Sequence, residues 1–149
     1  MKYSICVRLA IIAIMAGYII NSGITYALAP KVLTVSQICP QVGKEQVACI
    51  IKQVFPEEHE IMIAIAMAES QLNNNAVGYN CYYEGKSTNC KKSDKANAWS
   101  RDFGVFQIHE AKEHEKTLEG NIQAARKKYD TQGKKAWSVY NTGAYKKYL

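Results

Sequence analysis

What the 149-residue chain lacks excludes several common chemistries. It has no C-x-x-C pair, and its cysteines stand at no regular spacing from its histidines, so zinc is disfavoured. It has no glycine-rich phosphate loop, and its lysine pairs do not alternate with aromatics, which argues against nucleotide and nucleic-acid partners. No internal repeat, low-complexity tract or second domain can be discerned. The apolar run from about Leu9 to Ile20 is short for a membrane span. The nearest approach to a metal motif is HEAKEH, from His109 to His114. On a helix its histidines would sit about 140° apart and could not share an ion, so a solvated surface is the expectation.

The N-terminus reads as an export signal. Lys2 and Arg8 precede the apolar run, and Ala27-Leu28-Ala29 is an A-x-A site, which predicts cleavage after Ala29. An uncleaved N-terminal anchor is the alternative. Removal would leave roughly 120 residues, enough for one domain with its own core, entered through a flexible stretch from Lys31 to Ser36. The first 29 residues hold two of the 19 basic side chains and none of the 13 acidic ones, leaving 17 against 13, a net +4. That charge suits a polyanionic surface and also ordinary solvation. Of five cysteines, Cys6 would leave with the signal. Cys39, Cys49, Cys81 and Cys90 remain, and an even number in a small exported chain implies disulfides. Three pairings are possible. The local one, Cys39 with Cys49 and Cys81 with Cys90, is the simplest, and CYYEGKSTNC then reads as a hairpin or loop closed at its base with Glu84-Gly85 as its turn.

The rest is mostly helical in pattern. Val47, Ile50, Ile51 and Val54 have helical spacing over about Lys44 to Val54. Ile122, Ala125 and Tyr129 repeat it over Leu118 to Tyr129, where Arg126, Lys127 and Lys128 suit a helix C-terminus. Lys134 to Asn141, with Trp137 and Tyr140, predicts a last short helix. The ten tyrosines suit a sugar cleft or simple core and hairpin packing equally.

The stretch from Glu57 to Ser70 predicts a further helix. Pro56 suits its first turn, and Glu57, Glu58 and Glu60 favour its positive end. Ile61, Met62, Ile65 and Glu69 then share one stripe, so Glu69 points where a core residue would. A lone Glu at a helix end usually reaches solvent, but burial would raise its pKa, as a general acid requires. The segment SRDFGVFQI, Ser100 to Ile108, carries a second acid, Asp102. Its apolar run encloses Gln107, whose amide needs a partner: a sugar amide or a backbone group. A surface turn is the bland alternative. Two carboxylates in unlike surroundings are the minimal equipment for cleaving a glycosidic bond.

Together these segments resemble the lysozyme-like superfamily, which includes the soluble lytic transglycosylases, the secretion-associated transglycosylases and the animal lysozymes. Glu69-Ser70 stands for the helix-end Glu-Ser, Asn73 to Asn75 for the Asn a few residues on, Gly104 to Ile108 for the G-[LIV]-[MFL]-Q-I block, and Tyr140, Asn141 and Gly143 for the closing Tyr-Asn-x-Gly. The resemblance covers about residues 57–145. It implies a mainly α (α+β) lysozyme-like fold, a single small helical domain with a short β-hairpin or loop insertion. There are two departures from the animal lysozymes and many transglycosylases respectively. The acids are separated by 33 positions, a longer interval that holds Cys81 to Cys90 and KKSDK, and Asp102 is present where many transglycosylases use the Glu alone.

The resemblance further implies a cofactor-independent monomeric enzyme, exported to the periplasm, cell envelope or exterior. It would cleave the β-1,4 bond between N-acetylmuramic acid and N-acetylglucosamine in peptidoglycan, with Glu69 as acid. A lytic transglycosylase would use Glu69 alone as acid and base, and a hydrolytic lysozyme would add Asp102. Ser70, Gln107, Tyr140 and Asn141 would orient Glu69 and the sugar amides. Such scaffolds can also serve as non-catalytic glycan-binding or envelope-assembly modules, against which the joint retention of Glu69, Gln107 and Tyr140 argues.

Overall fold

The computed structural model describes residues 39–40 and 42–149. The expected signal segment, the alternative anchor and the Lys31–Ser36 entry lie outside the described residues. Among the described residues no helix is long and apolar enough to cross a membrane.

Helix α1, Gly43–Val54, buries Val47, Ile50 and Ile51 of the four residues its spacing marked, with Val54 partly buried, and the Cys39–Cys49 disulfide ties its second turn to the preceding chain. Helix α2, His59–Ser70, buries Met62, Ala64, Ile65 and Ala66. It starts two residues later than the pattern suggested, because Pro56 to Glu58 form a turn. Glu57 and Glu58 face cations instead of a helix end: Glu57 pairs with Arg126 and Glu58 with Lys134.

The chain then crosses into a four-stranded antiparallel sheet, in the order β2-β1-β3-β4. Its strands are β1, Val77–Tyr83; β2, Lys86–Asn89; β3, Ser100–Phe103; and β4, Ile108–His109. The expected hairpin is β1–β2, turning at Glu84 and Gly85, with Cys81 bonded to Cys90 across its base. The sheet is larger than the sequence suggested, because SRDF of the second acid segment pairs with β1 and Ile108–His109 return against SRDF.

Helix α3, Leu118–Gln132, buries Asn121, Ile122 and Ala125 and is longer than its pattern indicated. Arg126, Lys127 and Lys128 are therefore internal to it, not at its C-terminus. Arg126 spends its charge on Glu57 and Asp130. The last expected helix is broken. A 3₁₀ turn at Gly133–Ala136 and the short helix α4, Ser138–Asn141, flank Trp137, which is extended at φ −109° and ψ 128°. The break follows from Trp137, whose ring is buried and whose indole N–H donates to the Phe106 carbonyl at 3.2 Å.

The helices and the sheet meet at the turn from Phe103 to Gln107. Val105 and Phe106 are fully buried, and Phe106 packs against Phe55 and Trp137 with ring centres 5.9 and 5.6 Å away. Buried backbone polar groups must be paired, and here side chains do it. The Phe106 N–H donates to Asn121 Oδ1 at 2.9 Å, and Asn121 Nδ2 donates to Phe103 O at 2.9 Å and Glu115 O at 3.1 Å. Ser70 Oγ donates to Val105 O at 2.8 Å. Gly104, at φ +74°, lets the turn close on this amide: a Cβ there would lie 2.6 Å from Asn121 Nδ2.

Replacing Asn121 with Leu would leave three backbone groups without their partner, at about 1–3 kcal/mol each. Urea denaturation of Asn121→Leu should show a loss of about 3–5 kcal/mol. A loss below about 1 kcal/mol would mean that the turn is held by other contacts.

Candidate active site

Glu69 sits in the last turn of α2, one residue before the helix ends. The exit is abrupt. Gln71 and Leu72 adopt φ of 57° and 62°, a region that side chains rarely occupy. The turn returns Leu72 to the core, and Ser70 ties the helix end to Val105. Glu69 is thereby fixed between the core and a cleft.

The cleft has two connected parts, of about 580 and 240 Å³, which share Glu69, Asp102, Gln107 and Ser138 as walls. The larger adds Gly78 and Asn80 from β1 and Val139 from α4. The smaller adds His109, Lys128 and Trp137. A bigger cavity of about 730 Å³, between α1 and the Asn73–Asn75 turn, holds neither acid of the pair. It is a poorer site for this chemistry despite its size.

The two carboxylates differ in environment. Burial is the main cause that raises Glu69 from an ordinary 4.5 to about 7; the charge of Lys128 opposes this and that of Asp102 adds to it. Glu69 can therefore hold a proton near neutrality. Asp102 has a donor at each oxygen. Asn80 Nδ2 donates to Oδ2 at 2.9 Å, and His109 Nδ1 lies 2.9 Å from Oδ1. The sheet register makes this possible, since Asp102 lies opposite His109 on β4 and opposite Gly78 on β1. Gly78 leaves the necessary room: a Cβ there would come within 2.6 Å of Gln107 Oε1. Gln107 finds its partner in the backbone, donating from Nε2 to Gly104 O at 2.9 Å.

Of the residues that the sequence singled out, Glu69, Asp102 and Gln107 come together at this cleft. Ser70 does not line it and holds the helix end instead. Tyr140 stacks on Tyr145, with ring centres 5.0 Å apart, and Asn141 donates to Lys135 O at 2.9 Å. Neither lines the cleft, although their neighbours Ser138 and Val139 do. Asn80, His109 and Lys128 were missed. The HEAKEH segment is solvated as its pattern implies, with His109 about half exposed, but it is not one helix: His109 ends strand β4 and meets Asp102, while His114 lies in a separate 3₁₀ turn. The signals were available but faint: the period-two pattern of VGYNCYY puts Gly78 and Asn80 on one face, and His109 follows Gln107 by two.

Among the described residues no three His, Cys, Asp or Glu side chains converge as metal ligands. A family model described as a lysozyme-like domain matches residues 52–147. No curated protein and no solved structure matches the chain.

The buried acid should cost stability. Its folded pKa is raised above the unfolded 4.5, so the unfolded chain releases the proton first as pH rises. Stability from this group is therefore greatest below about 4.5, falls between about 4.5 and 7, and is lowest above 7. Glu69→Gln should stabilise the protein above pH 7 by on the order of 1–3 kcal/mol, with little effect at pH 4. Thermal unfolding across pH checks this, and a variant destabilised at pH 8 would contradict the assignment of Glu69 as a desolvated acid.

Proposed function

The chain belongs to the lysozyme-like domain family, which acts on the glycan strands of peptidoglycan, and we propose that it is a muramidase with Glu69 as its acid. The observation that supports this most is a desolvated carboxyl with a pKa of about 7, in a cleft beside a second, hydrogen-bonded acid. The bond cut is the β-1,4 link from N-acetylmuramic acid to N-acetylglucosamine. Glu69 protonates the bridging oxygen as the C1–O bond breaks, and positive charge develops on the muramic ring. Gln107, on the cleft wall, orients the sugar.

The preferred route is lytic transglycosylation. Glu69, now a carboxylate, takes the proton of the sugar's own C6 hydroxyl, whose oxygen bonds to C1. The product is a 1,6-anhydro end and no water is consumed. Asp102, with a donor on each oxygen, acts as fixed negative charge beside the oxocarbenium-like centre. The hydrolytic route remains a second reading, favoured by Asp102 sharing the cleft with Glu69. Export through cleavage after Ala29 completes the proposal, and the two disulfides fit a site outside the cytoplasm.

Mass analysis of a peptidoglycan digest tests the chemistry. The anhydro ends expected here are lighter by one water than hydrolysed ends. Glu69→Gln should lower the rate by about 10²-fold or more, while Asp102→Asn keeps a measurable share. A digest with only reducing muramic ends and an inactive Asp102→Asn would support hydrolysis.

A further inference from the structure

Asp102 is held from two neighbouring strands at once: Asn80 of β1 donates to Oδ2, and His109 of β4 faces Oδ1, each at 2.9 Å. A carboxylate only accepts, so the contact assigns the proton to His109 Nδ1. The imidazole is then either the neutral Nδ1–H tautomer or the imidazolium. Both orient Asp102, and only the second adds charge. Trp99, itself about half exposed, brackets the ring from another side with centres 5.8 Å apart, and packs edge-on against Tyr82. The charged groups that share a cavity with His109 are Asp102 from β3, Glu69 from the end of α2 and Lys128 from α3.

We propose that His109 is a positioning residue that orients Asp102 through Nδ1–H and so fixes the carboxylate that stands opposite Glu69. This rests on the muramidase reading above. Pinned between Asn80 and His109, the negative charge of Asp102 is aimed into the cleft, where it favours both the proton on Glu69 and positive charge on the sugar.

The test combines a measurement that needs no activity with one that does. In the free protein, ¹⁵N spectra of His109 should show the proton on Nδ1. In cleavage assays, His109→Ala should lower kcat about tenfold, since it removes a hydrogen bond to a charged group, while His109→Asn, which keeps a donor, should recover most of that loss. A neutral Nε2–H tautomer would overturn the proposal, as would a wild-type kcat in His109→Ala. A wild-type protein that cuts no glycan would instead count against the muramidase reading and leave the ¹⁵N result standing.

Discussion

A loop cannot enter a protein core unless its backbone polar groups find partners there. The stretch from Phe103 to Gln107 does enter the core, and everything at the cleft depends on how it is held. Asn121 supplies one acceptor and two donors, Ser70 and Trp137 supply one donor each, and all five bonds reach backbone. The three side chains come from α2, α3 and the residue before α4. One turn therefore fixes the mutual placement of these elements. Asp102 precedes it by one residue, Gln107 ends it, and Glu69 adjoins Ser70, so the same bonds that satisfy the loop also set the distance between the two acids.

The cost of the site is visible at Glu69. A carboxyl at the end of an apolar helix face is destabilising once ionised, and only Lys128 works against its elevation. A surface Glu would stabilise the domain better and could not donate a proton at neutral pH. Asp102 is treated in the opposite way, with two hydrogen-bond partners in a partly exposed position. The pair divides the labour that glycoside cleavage needs, one group holding its proton and the other holding charge.

The helices and the acid segments were legible because they depend on local periodicity. Glu69 could be placed on its apolar stripe from Ile61, Met62 and Ile65 alone. What failed depends on contacts between distant segments. Trp137 breaks a helical pattern because its ring and N–H are claimed by Phe106, 31 residues earlier. Asn80 and His109 reach Asp102 through the register of three strands, and register is not written in any one of them. Asn121 stands as one polar residue in a largely polar helix. Its place one turn before Ala125 on the buried stripe was the available clue, since asparagine inside a helix is unfavourable unless its amide is used. Tyr140 and Asn141 show the limit of motif transfer: the motif is present, yet the chain puts their neighbours Ser138 and Val139 on the cleft.

The account stands on the state of one proton. A ¹³C titration of the Glu69 side-chain carboxyl in the free protein measures it directly, without substrate and without any assumption about the product. Burial beside Asp102 predicts a midpoint near 7. A midpoint near the ordinary 4.5 would mean that the carboxyl is solvated and ionised at neutral pH, and Glu69 could not then be the acid of this cleft.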